Sequence, residues 1–378
     1  MKNGFIKIAA LLYFLLMPNF TIAQSRIVPE QGYQWPEIKR NYWPTDGWLS
    51  DSIKNHDITI EKVNYADSIA ESDNALRSLL IVKDGYIVFE KYYNSGGINK
   101  STEVWSVTKS FTSALIGIAI DQGYIDSHKE LMIEYMSEYP AFNDISISHV
   151  LTHTTGLNWD ESNQQSWIQS EDWIEEALNR GFFTIPGKTL LYSSANSHFL
   201  SKLIRNTTGK SPGEFANENL FIPLGIEFTP SNRQERYADW QELHSPIPHS
   251  WRQDNNGLEI GAFGLHLTAR EMAKFGFLYL NKGIWQGKKI ISENWVEKST
   301  RDYVHRSDNF GFGFHWVITK RHNQPCFEAD GWGGQMISVI PALDMIVVIK
   351  CDEINPRNNE SYNILNAVIK AALQGNDL

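Results

Sequence analysis

The sequence predicts an α+β fold in which one antiparallel sheet is built from both chain ends, with flanking helices and a mainly helical region inserted between its halves. Three observations predict it. A β-hairpin pattern stands before residue 100, strand-like runs and an amphipathic helix stand after residue 300, and the stretch between them reads as helix and loop. The expected organisation is a leader over 1–23, the N-terminal part of an α/β domain over 24–100, a mainly helical region over 101–300 and the C-terminal part of the α/β domain over 301–378.

Taken in order, Met1 to Lys7 is short and basic, Ile8 to Met17 is a compact apolar run, and Thr21-Ile22-Ala23 offers small residues for cleavage. That is the pattern of a secretory signal peptide cut after Ala23, and it predicts a secreted or periplasmic mature protein. The run is too short to span a bilayer, so no stable membrane anchor is expected. An uncleaved anchor is the other reading of the same residues. The remaining ~355 residues suit one large domain or two modest ones. A formal net charge of −10 argues against nucleic acid or an anionic membrane as partner.

Residues 24–70, rich in Trp and Pro, read as an extended lead-in with a helix near Ala66 to Ser72. Leu79 to Lys83 and Tyr86 to Tyr93 flank Asp84-Gly85, the signature of a hairpin. From Val107 to Ile120 the polar side chains all lie near the front, so this stretch is a helix apolar on every side, belonging in the centre of a domain. Gly123 ends it. Further helices are expected from about Ala195 to Arg205, from Ser211-Pro212-Gly213-Glu214, from Thr268 to about Asn281 and after Ser292. Gly311 to Ile318, Gln335 to Ile340 and Met345 to Lys350 read as strands, and Asn359 to Leu373 as a closing helix.

The central helix opens with Ser106-Val107-Thr108-Lys109. Residues three apart share a helical face, so the Lys109 amine can lie beside the Ser106 hydroxyl. A serine hydroxyl is a weak nucleophile and needs a base, which a lysine supplies once burial depresses its pKa. The helix N-terminus disfavours the ammonium and offers N–H groups to an oxyanion. Spacing alone does not separate this reading from a solvated lysine in a first turn. His149 and His153 stand four apart, but Val150 replaces the glutamate of a metalloprotease helix and no third ligand is evident, so packing at a helix end is preferred and no metal is expected. Tyr192, just before a helix, either points its phenol into a cleft or packs. Trp159, Trp167 and Trp173 suggest an aromatic rim.

Ser106 to Lys109, Leu151-Thr152-His153-Thr154-Thr155-Gly156-Leu157, Tyr192-Ser193-Ser194, Gly261 to Phe275 and Gly331-Trp332-Gly333-Gly334-Gln335 occur in that order. Together they resemble the β-lactamase/transpeptidase-like serine hydrolases: class C β-lactamases, D-alanyl-D-alanine peptidases and related esterases, with 6-aminohexanoate-dimer hydrolases nearest. The resemblance spans roughly residues 44 to 373. It implies Ser106 as acylated nucleophile, Lys109 as its base and Tyr192 as proton relay to the leaving group. It implies backbone N–H groups of Ser106 and Trp332 as the oxyanion hole, and Ser194, Asp330, Gly331 and Gly333 as substrate-binding positions. No cofactor is implied, and the expected partner is a small-molecule amide or ester.

Two positions depart from the pattern. Ser194 replaces the asparagine of Tyr-x-Asn, and Ala329-Asp330-Gly331 stands where β-lactamases and peptidases carry a lysine-led motif that engages a substrate carboxylate. An acidic Asp330 there should disfavour such a carboxylate, which leaves an amide or ester hydrolase as the preferred reading over a β-lactamase or peptidase. Asp330 either meets a substrate amine or caps a turn. In the family's sheet order one strand separates those bearing Cys326 and Cys351, too far for a disulfide, so two free and mostly buried thiols are expected. A G-x-S-x-G elbow and a P-loop are absent. The rival from another class is a penicillin-sensing or cell-wall-binding module that is acylated without turnover.

Overall fold

The runs on either side of Asp84-Gly85 form β1 (Leu76–Lys83) and β2 (Tyr86–Tyr92) in a computed structural model that describes residues 27–373 apart from 30–31, 38, 231–236, 246, 248 and 353–359. Asp84 and Gly85 both take positive φ, 54° and 90°, which a two-residue type I′ turn requires. Ahead of the hairpin, α1 (Ile60–Ser72) begins earlier than expected, because Val63, Ala66 and Ala70 continue one buried face upstream. The segment over 1–23 lies outside the described residues.

Three long helices of the inserted region position the site: α2 (Val107–Asp121), α3 (Ser194–Thr208) and α4 (Ala269–Leu280). The chain then returns with β3 (Val304–Ser307), β4 (Phe310–Phe312), β5 (Val317–Arg321), β6 (Gln324–Gly331), β7 (Gln335–Ile340), β8 (Met345–Cys351) and finally α5 (Ser361–Ala372). Among the described residues these form an eight-stranded sheet in the order β2-β1-β8-β7-β6-β5-β4-β3, antiparallel at every pairing. The two chain ends meet at β1 and β8, where Leu79 pairs with Ile349 and Val82 with Ile346. The antiparallel sheet assembled from both ends is therefore present.

Alternation along the strands separates two cores. Ile346 and Val348 join the core shared with α2, α3 and α4, while Val347 and Ile349 face the layer that contains α1 and α5. Both faces are covered, which is why Met345 to Ile349 is apolar without interruption. A one-residue slip would exchange the faces, and each buried Val or Ile stabilises by about 1.5–3 kcal/mol, so the register is firmly set. The α4 backbone rests directly on the sheet, since a Cβ on Gly276 would meet Ile337 Cγ2 at 2.9 Å.

The structure corrects several expectations. Gly311 to Ile318 is not one strand: the chain turns between β4 and β5, with His315 at φ 59°, and drops into the helical region, where Phe314 N–H donates to the Ser299 carbonyl at 2.8 Å and His315 N–H to Leu151 at 3.1 Å. β6 was hidden by Pro325, Glu328 and Asp330; Glu328 is buried because the Arg321 guanidinium donates to both of its oxygens, at 2.5 and 2.7 Å. Trp159, Trp167 and Trp173 form no rim. They are buried against one another, with ring centroids 5.0 and 4.5 Å apart for the successive pairs. His149 belongs to a reciprocal cap with Ser146 on the short helix Ile147–Leu151, and His153 lies past its end at φ 56°. Cys326 and Cys351 are free and buried, on strands separated by β7. Among the described residues no helix is long and apolar enough to cross a membrane.

Candidate active site

Ser106 is the residue from which α2 starts, and its surroundings are built by backbone pairing. Thr102 and Glu103 pair with Leu267 and His266, and Val104 N–H donates to the Leu265 carbonyl at 2.8 Å. Glu103 is buried; one of its oxygens accepts from Gly264 N–H at 2.9 Å and the other meets His244 Nδ1 at 2.6 Å. The His244 ring stacks on Trp105 with centroids 4.1 Å apart. Trp105 itself sits at φ 50°, a left-handed conformation a bulky residue adopts only when its neighbours impose it. This strained residue directly precedes Ser106, which remains partly exposed while Val107 to Ala119 is buried.

Lys109 Nζ lies 3.0 Å from Ser106 Oγ, 3.3 Å from Ser194 Oγ and 2.9 Å from the Ala262 carbonyl oxygen. Lys109 is buried, and burial pulls its pKa from 10.5 down to about 8, against the opposing attraction of Glu161. The net shift is about 3 kcal/mol against the ammonium, so desolvation wins. The neutral amine is therefore far more accessible near neutral pH than in an ordinary lysine.

Tyr192 borders the same atoms. Its ring centroid is 4.9 Å from Lys109 Nζ, its hydroxyl lies close enough to Ser106 to be influenced by it, and it packs against His153 at 4.6 Å. Burial, and then the Glu161 charge, push its pKa well up, so the phenol is a neutral O–H at ordinary pH. Of the two groups touching Ser106, Lys109 is the one that loses its proton readily.

The strand end β6 closes the site from the sheet side. A Cβ on Gly331 would meet the Val104 carbonyl oxygen at 2.5 Å and Trp105 Cβ at 3.2 Å, so only glycine lets this strand end dock beside the start of α2. Trp332 follows it, half-exposed, with its ring 6.5 Å from that of Trp105; Gly333 and Gly334 turn the chain at φ 76° and 94°.

Not every residue singled out from the sequence comes to this place. Ser106, Lys109, Tyr192 and Ser194 converge, and Gly331 brings the end of β6, with Trp332 after it, against the residues just before Ser106. Asp330 does not: strand alternation turns it to the other face, where Tyr362 Oη of α5 donates to it at 2.7 Å. Burial and the nearby Glu328 push the Asp330 pKa up to about 7. Ala329 is the β6 side chain on the nucleophile side, in the core with α2. Ser194 faces Lys109 and Glu161, which occupies its hydroxyl within the protein.

Two groups were missed. The Ala262 carbonyl accepts from Lys109 because Gly261 lets the chain press against α3, where a Cβ would meet the Ser197 carbonyl oxygen at 2.1 Å; the paired glycines Gly261 and Gly264 were its signal. Glu161 had no distinguishing signal beside Asp160, yet Asp160 bonds only within its turn, to Ser162 N–H and Oγ at 2.8 and 2.6 Å. His315 Nδ1 lies 3.2 Å from the Lys109 carbonyl, and its carbonyl accepts from Ser110 Oγ at 2.7 Å, so the turn between β4 and β5 braces α2 from below.

A serine with a buried lysine amine against it, beside the end of an interior strand of a sheet drawn from both chain ends, defines the class of β-lactamase-like serine hydrolases. The chain belongs to the beta-lactamase family, whose profile matches residues 76–367. It is 23% identical over 325 residues to an uncharacterized protein of Alkalihalophilus pseudofirmus, covering 79% of this chain and 90% of the other. It is 24% identical to the 6-aminohexanoate-dimer hydrolase of Paenarthrobacter ureafaciens, covering 57% of this chain and 55% of that one, so the likeness there spans about half of the relative. Among solved structures, a Bacillus anthracis protein provisionally named 6-aminohexanoate-dimer hydrolase superposes with a TM-score of 0.66 at 20% identity, covering 86% of this chain and 87% of the other. A penicillin-binding protein of Bacillus halodurans superposes at 0.62 with 17% identity, covering 82% and 100%. At these identities the superpositions speak to the fold.

Proposed function

We propose that this is an exported serine hydrolase that cleaves an amide or ester bond through an acyl-enzyme on Ser106. The observation that carries the reading is the 3.0 Å contact between Ser106 Oγ and the amine of buried Lys109. In its neutral form Lys109 takes the Ser106 proton as Oγ attacks the substrate carbonyl. The oxyanion that forms is met by the backbone N–H groups of Ser106 and Trp332. As the tetrahedral intermediate collapses, the proton on Lys109 returns through Tyr192 to the leaving amine or alcohol, so Lys109 is neutral again and the carbonyl carbon stays on Ser106 as an ester. Water then attacks that ester, Lys109 receives its proton and hands it to Ser106 Oγ as that oxygen leaves, and the acid is released.

The substrate class follows from what faces the pocket. Ala329 offers no cation where a lysine would hold a carboxylate, and the Asp330 carboxyl is engaged by Tyr362 on the other face of the sheet. An amide or ester with no carboxylate beside the scissile bond therefore fits better than a β-lactam or a peptide C-terminus. A relative named for hydrolysing a 6-aminohexanoate dimer supports the amide side of this reading. The decisive experiment uses exported protein, whose N-terminus is expected at Gln24, with a short-chain p-nitrophenyl ester, beside Ser106→Ala. Sustained release lost in the variant is the expected result. One equivalent released and then nothing would favour a sensor. Equal release from both proteins would overturn Ser106 as nucleophile.

A further inference from the structure

We propose that Glu161 is a positioning residue of this site: through the Ser194 hydroxyl it fixes which way the Lys109 amine points. The inference rests on the reading of Ser106 and Lys109 just given and adds a residue to it. The Glu161 carboxylate accepts four hydrogen bonds. One oxygen takes Ser194 N–H and, at 2.8 Å, Trp159 Nε1; the other takes Ser194 Oγ at 3.0 Å and Gln164 Nε2 at 2.6 Å. All four partners donate, so the cradle fits an ionised carboxylate, although burial pushes the Glu161 pKa up.

The consequence passes along the chain of protons. Ser194 gives its only proton to Glu161, so towards Lys109 it acts as an acceptor. The Ala262 carbonyl can only accept. A neutral amine has two N–H groups and one lone pair, and the two N–H groups are then taken by Ser194 Oγ and Ala262 O. The lone pair is left aimed at Ser106 Oγ, 3.0 Å away, in the orientation a base must hold. Were Glu161 not there, Ser194 could turn its proton onto the lone pair and silence the base.

Glu161 also acts by charge. The groups facing Lys109 are Glu161 from the loop after Leu157, Tyr192 from the segment before α3, and His153 and His315 from the turns below α2. Tyr192 is held neutral, and burial holds both histidines neutral, so Glu161 supplies the charge that partly restores the Lys109 pKa against burial. The sequence places serine at 194, where the family's asparagine would stand; a hydroxyl has one proton to commit, and Glu161 decides where it goes.

The test is the pH dependence of p-nitrophenol release from p-nitrophenyl acetate by the full exported protein, with Glu161→Gln, Glu161→Asp and Ser194→Ala. Removing the charge lets the Lys109 pKa fall, so in Glu161→Gln the acid limb should move to lower pH by about one pH unit while the plateau drops roughly 10- to 100-fold. Glu161→Asp keeps the charge but not the reach, and Ser194→Ala keeps the charge but not the relay. In both, the plateau should fall with the limb held in place. A Glu161→Gln variant whose limb and plateau both coincide with the unaltered protein's would overturn the proposal. So would an unchanged plateau in Ser194→Ala, which removes the hydroxyl donor but keeps the Ser194 N–H bond to Glu161. Release that survives Ser106→Ala would instead sink the acyl-enzyme reading underneath.

Discussion

At the scale of single residues, the proposed chemistry turns on two neighbours of Ser106 whose pKa values burial drives in opposite directions. Lys109 loses its proton more easily than a free lysine, and Tyr192 holds its proton more tightly than a free tyrosine. The expected kcat/KM therefore rises with pH through about 8, as Lys109 becomes neutral, with no phenolate step below it. Lys109→Ala should lose about 100- to 10,000-fold, and Lys109→Arg should not rescue it, because a guanidinium stays protonated. Tyr192→Phe should lose about 100-fold or more while its acid limb stays where Lys109 sets it. Rates measured between about pH 6 and 10 check both statements; a limb that shifts in Tyr192→Phe would reassign the titrating base. Ser106 and Lys109 were legible as a pair because a spacing of three puts them on one helical face, whereas Tyr192 was singled out only by the resemblance of Tyr192-Ser193-Ser194 to a family motif. Glu161 was not, because its role depends on a loop folding back to a serine 33 positions further along the chain.

At the scale of elements, the site depends on the end of β6 docking against the residues that lead into α2. Gly331 is where they touch, and a methyl group there would lie 2.5 Å from the Val104 carbonyl oxygen and 2.9 Å from Gln335 Cβ. Gly331→Ala should therefore push the Trp332 N–H away from Ser106. Overpacking of this kind costs about 1–3 kcal/mol, a modest loss for the whole chain, whereas a misplaced oxyanion donor costs about 100-fold or more in rate. Thermal melting and ester turnover on the same sample separate the two. Full turnover with lowered stability would remove β6 from the oxyanion hole. The hairpin, α2 and α4 could be read in advance because local pattern and caps agree there. β6 came only from the family's sheet order and not from its own pattern, since Glu328 and Asp330 are made tolerable by Arg321 and Tyr362, partners that only tertiary structure supplies. The turn at 313–316 was hidden for the same reason: its aromatic residues pack as a strand's would, but against helices.

At the scale of the whole molecule, the pairing of β1 with β8 was foreseeable from apolar runs at both chain ends, whereas the placement of polar groups beneath α2 was not. Two histidines lie there, His153 and His315, stacked with centroids 4.7 Å apart and buried. Burial, and then the neighbouring Lys109 charge, depress the His315 pKa from 6.5 to about 3; burial, His315 and Lys109 hold His153 well down too. The unfolded chain protonates these rings below about pH 6.5 and the folded protein does not, so folding opposes proton uptake and stability falls as pH drops from about 6.5 towards 3. Glu103, lowered by its histidine partners, acts in the same sense at lower pH, while Glu161 and Asp330, raised by burial, act in the opposite one. A comparison that removes one ring isolates its share. His315→Asn is the substitution to make, because asparagine tolerates the left-handed backbone at φ 59° and does not titrate. Its unfolding free energy, from urea titrations at a series of pH values between about 4 and 7, should be less steep than the unaltered protein's by about one proton, or about 1.4 kcal/mol per pH unit. The variant will be weaker at pH 7, where a packed ring is lost, and its deficit should shrink as the solution is acidified. Parallel curves would mean that His315 is protonated inside the fold and that the bracing turn beneath the nucleophile helix carries a charge.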